Sequence, residues 1–194
     1  MSKLSRILIL LSSILLILVF IFPIWSISLE APQYPEGIGI YINVHSITGH
    51  RPNNLNSINN LNHYIGMKRI EPDSILELKI MPYIIAFFIV FGFLNYLLKK
   101  RWLIFSWVAL FCIVGIIGMY DFWLWEYDYG HNLNPLAIIK IPGMSYQPPI
   151  FGSEKLLNFT ATSLPDIGGI MIGISIILAI IAFIISSKKK ISLN

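Results

Sequence analysis

The sequence predicts an all-α membrane protein of four transmembrane helices carrying a small mixed α/β extracytoplasmic cap, and three observations predict it. Four apolar runs, 7–25, 80–98, 102–120 and 167–186, each approach the ~20 residues a helix needs to cross a hydrocarbon layer. All ten Asp and Glu residues fall in the two long segments between runs, 26–79 and 121–166. Eight of the fourteen Lys and Arg residues lie elsewhere, at Lys3, Arg6, Lys99, Lys100, Arg101, Lys188, Lys189 and Lys190, with no acidic neighbour. By the positive-inside rule these eight mark the cytoplasmic side, so both termini lie inside and the two long segments outside. The chain reads as a single membrane domain over 1–194.

Taken in order, the first run follows a positive start but ends in Phe20-Ile21-Phe22-Pro23-Ile24-Trp25, too bulky for signal cleavage, and reads as a retained anchor. In the first outer loop Ile38, Ile40, Ile42 and Val44 alternate with Gly39, Tyr41, Asn43 and His45, the period of a half-buried strand. Leu55, Ile58, Leu61 and Ile65 recur at helical spacing, with Asn53, Asn54 and Ser57 as candidate caps and Gly66 as a stop. Another helix is expected from Pro72, a favoured first-turn residue, into the second run, kinked at Pro82.

The third run overshoots the bilayer, carrying Tyr120, Trp123, Trp125 and Tyr127 at and above its outer edge. Cys112, the sole cysteine, falls mid-run and reads as a small packing residue, so no disulfide or Cys-based metal motif is available. Leu136 to Ile141, stopped by Pro142-Gly143, is a second strand able to pair with the first. The fourth run holds Gly169, Gly173, Ser175 and Ala179 on one face, which permits close helix approach. Trp25, Tyr83, Tyr120 and Trp123 on one side, and Tyr96, Trp102 and Trp107 on the other, match interfacial belts.

Composition excludes several functions. The net charge of +4 comes from insertion signals, with no basic patch interleaved with stacking aromatics, so nucleic acid is not a partner and the lipid bilayer is. No ionisable residue lies within the core of any run, which disfavours an ion-coupled pathway. Phosphate loops, zincin motifs, nucleophile elbows and serine triads are absent, and no enzymatic activity is expected.

Chemistry therefore concentrates outside, where all four histidines lie with Met67, Met81 and Met144. If Leu61 to Met67 is helical, His63 and Met67 share a face, and imidazole with thioether suits copper. The densest stretch is Trp125-Glu126-Tyr127-Asp128-Tyr129-Gly130-His131-Asn132. There Asp128 and His131 could join Glu126 at a hard metal, or Asp128 could orient the His131 ring; a hydrogen-bonded helix end explains the same residues. Pro142 to Pro149 reads as a rigid loop presenting Met144, as ligand or as docking surface.

The stretches His63-Tyr64-Ile65-Gly66-Met67-Lys68, Trp125 to His131, Pro142 to Pro149 and Leu157-Asn158-Phe159 resemble a family of small polytopic membrane proteins. That family is encoded in bacterial, Bacteroidota-type, nitrous oxide reductase gene clusters, beside a lipoprotein copper chaperone and a maturation transporter. The resemblance implies an accessory role in copper loading or assembly of a periplasmic nitrous oxide reductase, with the chaperone, the reductase or the transporter as partner. It supplies no ligands; His63, Met67, His131 and Met144 are the candidates for transient copper from residue chemistry, with Asp128 behind His131, and no tightly bound cofactor is expected. The absence of a Cys pair and of Met-rich repeats argues against copper storage. The alternative is a metal-free scaffold whose cap docks an electron donor or a maturation partner.

Overall fold

A computed structural model describes residues 2–156 and 158–188. Leu157 and the predicted cytoplasmic Lys189 and Lys190 lie outside the described residues. In chain order the elements are α1 (Lys3–Leu18), β1 (Trp25–Ala31), β2 (Tyr34–Ile42), β3 (Ile47–Gly49) and α2 (Asn54–Ile65). A 3-10 turn (Pro72–Ser74), α3 (Leu76–Leu98), α4 (Arg101–His131), β4 (Gly152–Leu156), β5 (Phe159–Pro165) and α5 (Ile167–Lys188) follow.

The all-α, four-span expectation is overturned. Among the described residues the architecture is mixed, with five α-helices and a five-stranded antiparallel sheet in the order β3-β2-β1-β5-β4. Three helices among the described residues, α3, α4 and α5, are long and apolar enough to cross a membrane, consistent with a membrane-embedded, multi-pass chain. The first apolar run departs from the expectation because only its first part is helical. At 1.5 Å per residue the 16 residues of α1 reach about 24 Å, short of a ~30 Å hydrocarbon layer. The chain then turns through Val19 to Ile21, and Pro23, which has no N–H to give a helix, precedes entry into β1 at Trp25.

In the bundle, α1 packs against α5 and α3 and is fastened by hydroxyls. Ser5 donates to the Ala182 carbonyl (2.7 Å), and Ser12 and Ser175 share a 2.8 Å hydrogen bond. Arg6 reaches the Tyr96 carbonyl (3.2 Å) and lies over the Tyr96 ring, so the start of α1 sits beside the last turns of α3 and α5. Trp107 is no belt residue: it is fully buried, stacks on Phe111 and donates to the Phe88 carbonyl (2.9 Å). Cys112 is exposed on α4 instead of packed. The small face of α5 meets an internal neighbour. A Cβ on Gly169 would stand 2.3 Å from the Ile24 carbonyl oxygen, whereas Gly173 faces open space.

The sheet uses segments that read as a span end and as loop. β1 is its central strand, with β2 on one side and β5 on the other. The alternating run predicted in the first loop is β2, whose Ile38 and Ile40 are buried together with Ile27, Ile47, Ile58, Ile70 and Leu78. α2 closes over that layer and stops where predicted, at Gly66 in the left-handed region. Asn53, however, caps with no side-chain bond; Asn54 instead accepts from the Arg51 and Gly39 amides. Leu136 to Ile141 forms turns and bends instead of a strand, and both edges of β2, its expected partner, are taken by β1 and β3. The helix expected from Pro72 is a 3-10 turn separated from α3 by an extended Ile75.

At 31 residues, or about 46 Å, α4 is longer than the ~30 Å layer requires. Its last turns stand beyond the membrane, where Phe122, Trp125 and Tyr129 pack against the core beneath the sheet.

Candidate functional site

The last turns of α4 and the C-terminal end of α2 are laced together. Asn134 N–H donates to the Gly66 carbonyl (2.8 Å) and Ile139 N–H to Tyr64 (2.9 Å). Lys68 pairs with Asp128 at 2.5 Å, and the Tyr129 hydroxyl donates to the Arg69 carbonyl (3.1 Å). The proline-rich segment joins them through Tyr146 N–H and the Gly130 carbonyl (3.0 Å). Glycine is required at 130, since a Cβ would stand 2.4 Å from the Gln147 nitrogen. Segments 63–69, 126–134 and 144–147, far apart in sequence, thus form one corner of the extramembrane domain.

Behind this corner lies a cavity of about 110 Å³. β1 and β2 contribute Ile27, Leu29 and Ile40, α2 contributes Ile58, Leu61, Asn62 and Ile65, and Met67 and Ile70 follow from the next segment. α4 adds Trp125, Glu126 and Tyr129, the proline-rich loop Tyr146 and Pro148, and the β4–β5 hairpin Leu156 and Phe159. Two backbone-like bonds hold the 66–71 segment against α2: Asn59 donates to the Ile70 carbonyl (3.0 Å) and accepts from its N–H (2.7 Å).

Glu126 has no solvent exposure, and neither carboxyl oxygen has a hydrogen-bond partner. Burial alone pushes its pKa up to about 8, so at neutral pH the side chain is mostly a neutral acid. The Tyr146 hydroxyl is likewise buried and unpartnered. Burial raises the Tyr129 pKa, opposed by the nearby Trp125 N–H, which nonetheless makes no hydrogen bond of ordinary geometry.

The predicted ligands take different positions around this corner. Met67 is partly buried in the cavity wall. It is not on a helical face with His63, because α2 ends at Ile65 and Gly66 reverses the backbone. His63 is exposed and lies edge-on to Tyr64, with ring centroids 6.1 Å apart. His131 is exposed, stacks on Tyr127 (4.0 Å) and holds Nδ1 3.1 Å from the Tyr127 carbonyl. Since a carbonyl only accepts, Nδ1 carries the proton and Nε2 keeps a free lone pair. Met144 is partly buried in the proline-rich loop, where its N–H closes a turn on the Ile141 carbonyl (3.2 Å).

Asp128 does not orient His131. Its two oxygens are taken by Lys68 and Asn132, and the Lys68 hydrogen bond, followed by that from Asn132, holds its carboxyl below the usual range. Glu126 is sealed in the core, apart from any shared metal with them. His50 is committed elsewhere, its Nε2 between the Ser26 hydroxyl (3.0 Å) and the Ile40 carbonyl (3.1 Å), and burial lowers its pKa. Among the described residues no three His, Cys, Asp or Glu side chains gather as a metal-holding group.

Sequence reasoning missed Glu126 as a buried acid and Tyr146 altogether. Both were hidden by polar, aromatic surroundings that read as a membrane-edge belt or a loop. The usable signal was Gly130 one turn beyond Glu126, a small residue on the same helical face that lets a chain segment approach. No family model matches the chain, and no curated protein matches it significantly.

Proposed function

We propose that the protein is a non-enzymatic accessory factor of the bacterial inner membrane, both termini cytoplasmic, that supports copper loading or assembly of a periplasmic nitrous oxide reductase. The observation that carries this reading is convergence. The stretches on which the family resemblance rests contribute Met67, Glu126, Tyr146 and Phe159 to the wall of one cavity. In this reading His63 and His131, both exposed, offer imidazole to arriving Cu(I), and Met67 and Met144 offer thioether. The free Nε2 of His131 is the lone pair such a ligand needs. Two exposed imidazoles and two partly buried thioethers on separate segments suit brief transfer to a chaperone, the reductase or its maturation transporter better than storage.

Competition between the full-length protein in detergent and a chromophoric Cu(I) chelator tests the ligands. Wild type should withdraw copper, and the combined His63→Ala, Met67→Ala, His131→Ala, Met144→Ala variant should do so at least ~10-fold more weakly, the effect of losing about 1.4 kcal/mol. Equal competition would remove the ligand assignment. In cells, deletion of the gene should leave the reductase present but copper-poor.

A second reading, a metal-free scaffold, is favoured by the apolar surface beyond the membrane, where Leu136, Ile138 and Phe151 are 84%, 69% and 68% exposed. A photo-crosslinker at Ile138 that captures the reductase or an electron donor, with reductase copper content unchanged by the deletion, would establish that role instead.

A further inference from the structure

One side of α4 carries an apolar seam that the rest of the fold leaves bare. Ile113, Ile116, Ile117, Tyr120, Leu124 and Tyr127 are each between 41% and 71% exposed. At about 100° per residue, all six point within about 60° of one direction. Their steps of three and four residues repeat every seven, from Ile113 through Tyr120 to Tyr127, the spacing that keeps one stripe facing a neighbouring helix. The opposite side of α4 is taken within the chain. Trp107 and Phe111 pack into the bundle there, and Phe122, Trp125 and Tyr129 against the core beneath the sheet.

Lipid accounts for only part of the seam. The turns of α4 after Tyr120 stand beyond the membrane, yet Leu124 and Tyr127 continue the stripe begun by Ile113 and Ile116 with no charged residue interrupting it. Asp121 lies about 100° round from Tyr120, and Glu126 is buried on the inner side. Partly buried Trp123 joins the stripe, its ring 5.9 Å from that of Tyr120 and 5.4 Å from that of Tyr127, so the aromatic row is fixed before any partner arrives. A cover for the whole seam must be a helix that rises from the same membrane and continues about 10 Å past its surface.

We propose that the cover is α4 of a second copy of this chain, the two helices running parallel about a two-fold axis along the membrane normal. A second copy is inserted in the same direction by the same charges, so its α4 reaches the required height on the required side. The seam then meets itself, uncharged residues against uncharged residues, as an isologous contact requires. Its six residues bare on the order of 700 Å² per protomer, and two such faces fall within the roughly 1,200–2,000 Å² of a standard interface. Beyond the bilayer, burial of Leu124 and Tyr127 supplies a hydrophobic drive; inside it, Ile113, Ile116 and Ile117 contribute packing. This pairing is independent of the copper reading, and exposed His131, one turn past Tyr127, lies at its rim.

Subunit counting by single-molecule photobleaching tests the pairing. The full-length chain, Cys112→Ser with a dye at Ser153→Cys on exposed β4, is reconstituted in liposomes dilute enough that chance co-occupancy is rare. Two-step bleaching should predominate. Tyr127→Asp, which sets two carboxylates against each other in the seam, should weaken pairing at least ~10-fold with the circular dichroism spectrum unchanged, and Tyr127→Phe should pair as wild type. In native membranes of the Cys112→Ser background, Tyr120→Cys and Tyr127→Cys should each form an intermolecular disulfide under mild oxidation, and Ser153→Cys should not. One-step bleaching of the parent would overturn the proposal and leave the seam to a different protein. Undiminished pairing of Tyr127→Asp, or crosslinking through Ser153→Cys in place of Tyr127→Cys, would overturn it by moving the contact to another surface.

Discussion

Glu126 shows what one residue can impose on this molecule. An acid buried with neither a cation nor a donor keeps its proton, because solvation lost by the carboxylate is not returned by the protein. The folded state therefore holds a proton that the unfolded chain releases above its ordinary value of 4.5. Between that value and about 8 the native state binds more protons than the unfolded one, so stability is greatest at the acidic end and falls as pH rises. Thermal unfolding of wild type should decline across this window by on the order of 5 °C, and Glu126→Gln, which cannot titrate, should flatten the profile. A profile identical in the two proteins would mean that Glu126 is ionised in the fold. One turn further on, Gly130→Ala would push a Cβ into the backbone of Gln147. A loss of about 1–3 kcal/mol is expected, typical of overpacking, because rigid backbone and not a flexible side chain must give way.

The elements differ in how far sequence alone defines them. Asn59 grips both backbone groups of Ile70, fixing the segment that carries Met67 to α2. Asn59→Ala should cost about 1–3 kcal/mol by leaving that buried N–H and carbonyl unpaired, and amide exchange at 67–71 should accelerate more than in the sheet. α2 and β2 were legible because each buries one face, so apolar residues recur at 3.6 or at 2. β1 was not, since Trp25-Ser26-Ile27-Ser28-Leu29 abuts an apolar run whose period hides the change of structure. β5 was not either: its buried residues are Ala161 and Ser163, too small and polar to register as an apolar stripe. The 136–141 run misled for the opposite reason, being β-prone in composition while both sides of β2, its expected partner, are occupied by β1 and β3. Of the candidate site, the segments could be named from sequence. The cavity they share could not, because it depends on β1 lying centrally and drawing the β4–β5 hairpin over α4.

At the scale of the whole molecule, charge and packing agree on two unlike ends. At one, Arg6 lies over Tyr96 and Arg101 donates to Ser187 (2.6 Å), gathering cations from three helices with no acidic residue among them. At the other, the sheet domain carries carboxylates beside the remaining cations, as in the Arg51–Glu36 pair (2.6 Å). Moving the cationic end across a membrane would oppose the charge bias that sets orientation, so the sheet end should face the periplasm. Cysteine labelling can test this cleanly because Cys112 is the chain's sole cysteine and Cys112→Ser gives a blank background. In that background Ser153→Cys, on exposed β4, should react with a membrane-impermeant maleimide in intact spheroplasts. Lys100→Cys should react only after permeabilisation. Lys3→Cys should follow Lys100→Cys, because the Arg6 contacts fix the start of α1 beside the end of α3 even though α1 is only 16 residues long. Labelling of Lys3→Cys together with Ser153→Cys would require α1 to leave the bundle and the Ser5, Ser12 and Arg6 hydrogen bonds to break. Labelling of Lys100→Cys alone in intact spheroplasts would turn the molecule over and place the cavity in the cytoplasm, away from any periplasmic reductase.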